Sequence, residues 1–210
     1  MSTAAGHADA SALTSKLSHQ EDGAWVAYSH PATFRREVMR AGSERLVAGI
    51  PAGDALTFQR LAASLDAPCM LLYVLHTPRG EGEAGRYQSP SLGTGEVQAF
   101  LERHAAFFTG DARFDLWIHS PGEDATLVWD RHNLLYAYGP TERFVKILTA
   151  LGFHEGTPGA SFAHAHHYRH EFDGEAAAVL QAFAWRHSAL QPEDEQRVSE
   201  QNDRADRPIN

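Results

Sequence analysis

RFDLWIHSPGEDATLVWDRHNLLYAY, residues 113–138, decides the fold of this chain. Phe114, Leu116 and Ile118 alternate with Asp115, Trp117 and His119, the period expected of a strand with one apolar face. Pro121-Gly122 then marks a turn, and two further β-rich runs, 125–130 and 134–138, flank Arg131-His132-Asn133, a turn of hairpin length. Such short connections force neighbouring strands to run antiparallel, so the segment is a three-stranded meander.

Working outward, the period becomes helical on both sides. Phe58, Leu61, Ala62 and Leu65 fall at i, i+3, i+4, i+7 behind Asp54, which suits an N-cap. Cys69–Leu75 is a short unbroken apolar run, as a strand covered on both faces requires. A glycine-rich loop over 78–90 precedes a helix from Thr94 with Val97, Phe100, Leu101, His104 and Phe108 on one stripe. After the meander, Gly139-Pro140 suits the Ncap and N1 positions of a helix carrying Phe144, Ile147, Leu148 and Leu151. The segment 161–172 reads as a strand, and Asp173 caps a last helix with Val179, Leu180, Phe183 and Ala184 inward. Upstream, a short strand at 24–28 and a helix over Phe34, Val38 and Met39 complete the reading.

This order predicts an α+β fold: a mostly antiparallel sheet of about five strands (69–76, 113–119, 125–130, 133–138 and 161–170) that includes the meander, with helices packed mainly on one side. One domain is expected over 24–188, preceded by an N-terminal segment without fixed structure (1–23) and followed by an acidic tail of the same kind (189–210).

Composition bounds the function. Of 210 residues, 43% are apolar and 21% charged, ordinary for a globular chain. No apolar run approaches the roughly 18 residues of a bilayer span, and the first residues carry no secretory signal, so the expected location is cytoplasmic. Cys69 is the only cysteine, which excludes an intramolecular disulfide and a cysteine-built zinc site. A formal charge of −9 argues against nucleic acid and anionic membranes and for a basic protein partner.

The densest chemistry lies in SFAHAHHYRHEF, residues 161–172, where Phe162, His164, His166, Tyr168, His170 and Phe172 share one face of an extended strand. His164 and His166 would stand about 7 Å apart, close enough for two imidazoles to tilt onto one ion, whereas His170 lies about 13 Å beyond His166. A third ligand must come from a neighbouring strand, with Asp115, His119 or His132 available; the expected set is His164, His166 and His119, for a divalent metal of the zinc, manganese or iron class. Asp115 and His119 share a face but lie about 13 Å apart, too far to form a dyad. In the glycine-rich loop, Arg79 and Arg86 with Gln88 are candidate ligands for an anion, and Tyr168 is a further ligand-binding candidate.

Three functions fit. First stands a non-enzymatic binding or regulatory module acting on a protein partner, for instance an inhibitor of a basic protein. Second is a metal-dependent hydrolytic enzyme centred on the His164/His166 strand. Third is a small-molecule or anion binder using the Arg79–Gln88 loop.

Overall fold

The structure, a computed structural model, describes residues 15–39, 42–159, 164–192 and 194. The strands are β1 (Leu17–Glu21), β2 (Ala24–Ala27), β3 (Thr33–Val38), β4 (Glu44–Gly49), β5 (Met70–Leu75), β6 (Gly85–Gln88), β7 (Phe114–Ser120), β8 (Ala125–Trp129), β9 (Leu134–Tyr138), β10 (His154–Glu155), β11 (His164–His166) and β12 (Arg186–Ser188). The helices are α1 (Ala55–Ala62), α2 (Thr94–Arg103), α3 (Ala105–Gly110), α4 (Thr141–Ala150) and α5 (Asp173–Gln181).

Nine strands form one mixed sheet in the order β10-β3-β4-β9-β8-β7-β5-β6-β12, and β11-β1-β2 form a separate antiparallel sheet. The class is α+β, but the sheet of about five mostly antiparallel strands expected from sequence is overturned. It has nine strands, and β10 runs parallel to β3. The meander pairs as read, Ile118 facing Leu127 and Leu127 facing Ala137.

The extra strands come from places where charge or brevity hides the pattern. The helix expected over Phe34, Val38 and Met39 is a β3–β4 hairpin instead, with Phe34 opposite Ala48 and Arg36 opposite Leu46. Only Phe34 of this strand joins the core, while at the surface Glu37 accepts from Arg35 on its own strand and from Arg45 across the hairpin. β6 is four residues inside the glycine-rich loop, added to β5 through Tyr73 opposite Tyr87. Strand β1 falls inside the 1–23 segment expected to lack structure, because Leu17 and Ser18 are buried against the domain. Of the two terminal segments, residues 1–14, 193 and 195–210 lie outside the described residues, and Asp194 of the tail is buried against Arg86.

One face of the large sheet carries Leu46, Ala48, Leu71, Tyr73, Leu75, Phe114, Leu116, Ile118, Leu127, Trp129, Leu135 and Ala137. These join one core with Phe58 and Leu61 of α1, Val97 and Phe100 of α2, Phe107 and Phe108 of α3, Phe144 and Leu148 of α4, and Ala176 and Val179 of α5. The strand periodicity of two places these residues together, and the helical stripes supply the opposing layer. Asp54 caps α1 by accepting from Leu56 N at 2.9 Å. Gly139 lies outside α4, whose cap is Pro140; at φ +113° it passes so close to β8 that a Cβ would sit 2.9 Å from Ala125 Cα. Among the described residues no helix is long and apolar enough to cross a membrane.

Candidate metal centre

The histidine segment does not extend the large sheet. Among the described residues β11 covers His164–His166 and pairs with β1, Leu17 opposite His166 and His19 opposite His164. Residues 161–163 lie outside the described residues, and 170–172 form a 3-10 turn in which His170 points to solvent beside Glu171. Of the long strand expected over 161–170, the described part is extended over His164–His166 and leaves the sheet after it. The alternation within it still sets His164 and His166 on one side, their rings 5.0 Å apart.

The third imidazole comes from the β8–β9 turn. Asp130 Oδ1 accepts from both His132 N and Leu134 N (2.9 and 2.8 Å), and Asn133 adopts φ +59°. An Asx-type turn of this kind fixes the backbone and so the origin of the His132 side chain. Its ring lies 5.1 Å from that of His164 and 4.8 Å from that of His166. One nitrogen from each of His132, His164 and His166 falls within 4.8 Å of the others.

Electrostatics favour neutral imidazole here. Burial, reinforced by neighbouring His132 and His164 and by Arg131, pushes the His166 pKa down to about 3, with Asp130 opposing. His166 Nε2 is buried and has no hydrogen-bond partner among the described residues. A buried nitrogen lone pair without a donor is costly, and a cation would satisfy it. Tyr168 stacks on His166 at 6.2 Å between centroids, so this ligand candidate belongs to the wall of the same cluster.

Hydrogen bonds tie the His132 turn to its surroundings. Asp130 Oδ2 lies 3.4 Å from His132 Nδ1, at the long end of contact. His30 Nε2 bonds the His132 carbonyl at 2.8 Å, and burial lowers its pKa. Arg131 N donates to Asp115 Oδ1 while Asp115 Oδ2 bonds His76 Nε2 at 2.9 Å, both side chains nearly inaccessible. The partner of Asp115 is thus His76 at the end of β5, not His119 on its own strand. Lys16 lies beside this group, wholly buried, with its Nζ 4.2 Å from the Trp129 ring centre and without a hydrogen-bond partner among the described residues. Burial lowers its pKa to about 8, against the pull of Asp130, Asp115 and Asp111.

The remaining sequence candidates go elsewhere. His119 bonds Thr126 Oγ1 at 2.9 Å and is not part of the convergent group. Arg79 and Arg86 do not share an anion. Arg79 reaches Asp173 at 3.0 Å, whereas Arg86 pairs with Asp194 and stands over Trp117. Gln88 Oε1 accepts from Arg186 at 2.7 Å. The glycine-rich loop is exposed at Arg79, Gly80 and 82–84 but anchored by Glu81, whose carboxylate meets the fully buried Arg113 at 3.0 Å. Asp173 also joins Arg113 rather than capping α5.

His132, Asp130, His76 and Lys16 are what sequence reading missed as a group. His132 was one of three alternatives for a third ligand, and its turn chemistry was the available signal. Lys16 and His76 carried none, because their neighbours are set by strand register. Comparison with protein-family models, curated proteins and solved structures gives no match, so the chemistry of the site rests on its own residues.

Proposed function

We propose that this chain binds a divalent transition metal through His132, His164 and His166 and uses it for hydrolytic chemistry. The observation that carries the reading is the convergence of three imidazole nitrogens from two separate elements, one of them a buried Nε2 without a partner among the described residues. The described residues bring three histidines and no fourth ligand together, the donor set of catalytic zinc sites, whereas structural sites close with four. An all-imidazole set suits zinc or iron better than manganese, which favours carboxylate and water. Asp130 beside His132 Nδ1 would fix the tautomer that leaves Nε2 free for an ion, as carboxylates hydrogen-bonded to metal-ligating histidines do.

When bound, such an ion acts as a Lewis acid and brings a coordinated water toward a pKa near 7. The chain's own residues would orient and shield. His30 holds the His132 backbone, Tyr168 covers His166, and the His76–Asp115 pair offers a proton-handling group linked to the cluster through Arg131 N. The alternative of a module for a basic partner rests on net charge alone and is less specific than a point of convergence.

Metal content of tag-free protein tests the binding claim. One equivalent of zinc or iron, lost in the His164→Ala/His166→Ala variant and in His132→Ala but kept in His119→Ala, is the expected result. A protein that takes up none of zinc, manganese or iron sinks it. For the hydrolytic claim, metal-loaded protein should cleave p-nitrophenyl esters or phosphates, with loss on chelation and recovery on reloading.

A further inference from the structure

The second face of the large sheet carries a separate cavity of about 340 Å³ between β5, β6, β7 and β12. Its lining is Met70, Leu71 and Leu72, Arg86 and Gln88, Trp117 and His119, and Arg186, His187 and Ser188. Two guanidinium groups and the His119 imidazole therefore meet there, while His187 turns its ring to the other face against Tyr87 at 4.7 Å; no acidic side chain among the described residues lines the cavity, in a chain whose net charge is −9. Register explains the grouping. Arg186 lies opposite Gln88, Gln88 opposite Leu72, and Leu72 opposite Trp117, so one row of side chains crosses four strands on the same face.

We propose that this cavity binds an aromatic carboxylate, its ring on Trp117, Met70 and Leu72 and its carboxylate between Arg86 and Arg186. Both cations are held ready. Arg186 donates to Gln88 Oε1 at 2.7 Å and enters no ion pair among the described residues. Arg86 stands 5.9 Å from the Trp117 ring centre and directs Nη1 to the Asp194 oxygens at 3.1 and 3.3 Å. Among the described residues Arg86 Nε and Nη2 have no partner, and its Nη1 already donates to a carboxylate. A guanidinium fork matches a planar carboxylate with two parallel hydrogen bonds, and an indole floor suits a flat ring. Fixed donors beside an apolar floor are the composition of a ligand pocket. The site is distinct from the imidazole cluster and does not depend on a metal there.

Calorimetric titration of the full chain with 2-naphthoate tests the proposal, with neutral 2-naphthamide and inorganic phosphate as comparison probes. One-to-one binding of the naphthoate is expected, at least about tenfold tighter than the naphthamide and tighter than phosphate. Arg186→Gln, at an exposed edge where folding is not at stake, should weaken it about tenfold, and Arg86→Gln by a similar factor. The His164→Ala/His166→Ala variant should bind 2-naphthoate unchanged. Equal affinity for acid and amide, or indifference to Arg186→Gln and Arg86→Gln, would overturn the proposal. Loss of binding in the histidine variant would do the same, because it would place the carboxylate at the imidazole cluster.

Discussion

Replacing Lys16 by methionine should make the protein more stable at pH 7. The ammonium is wholly buried, without a hydrogen bond among the described residues, between the rings of Trp129 at 4.2 Å and Phe114 at 5.2 Å. Its pKa falls from 10.5 to about 8, a difference of about 3 kcal/mol in favour of the neutral amine. Methionine keeps the length, removes the charge and exchanges a cation–π contact for a sulfur–aromatic one, so the net gain is about 1–3 kcal/mol. For a domain of this size that is a rise in Tm of roughly 2–12 °C. The gain must depend on pH. Below about 8 both folded and unfolded chains carry the Lys16 proton, and the burial cost is fully felt. Between about 8 and 10.5 the folded protein has released the proton while the unfolded chain still holds it, so wild-type stability rises toward that of the variant. Cys69 and Tyr73, whose pKa values are raised by burial, work in the opposite direction at high pH. They do so equally in both proteins and cancel in the comparison. Urea unfolding followed by tryptophan fluorescence at pH 7 and pH 10.5 measures the difference. A variant less stable than wild type at pH 7, or a gap that does not narrow with pH, would refute the reasoning.

Arg113→Met should cost about 3–5 kcal/mol, because it strands the buried carboxylates of Asp111 and Glu81; a urea unfolding free energy within about 1 kcal/mol of wild type would contradict this. His166, neutral in the fold down to about pH 3, contributes stability that is present above 6.5 and is lost as pH falls toward 3, with a slope of at most about 1.4 kcal/mol per pH unit. His166→Gln should flatten that part of the metal-free acid unfolding profile, and an unchanged profile would count against the burial argument. Gly49→Ala places a Cβ 2.6 Å from His30 Cβ, so it should cost about 1–3 kcal/mol and, by moving His30 off the His132 carbonyl, weaken metal uptake; equal zinc affinity in a folded variant would sever that link.

The sequence by itself determined what depends on near neighbours in the chain. Alternation from Phe114 to Ile118, the Pro121-Gly122 turn and the short Arg131–Asn133 connection left the meander no other pairing, and the stripes of α1, α2 and α4 were plain because apolar side chains recur each turn. His164 and His166 shared a face for the same local reason. Tertiary structure alone decided the rest. Phe34 to Val38 carries too little apolar alternation to declare a strand and becomes one because β4 is there to pair with it. The β1–β11 register carries the histidines off the large sheet, and the Asp130 turn brings His132 against them. Register likewise joins His76 to Asp115 and Arg86 to Arg186, and burial makes Lys16 and His166 unusual acids. Strand register and desolvation are set by residues far apart in the chain, so they leave no local trace in the order of the amino acids.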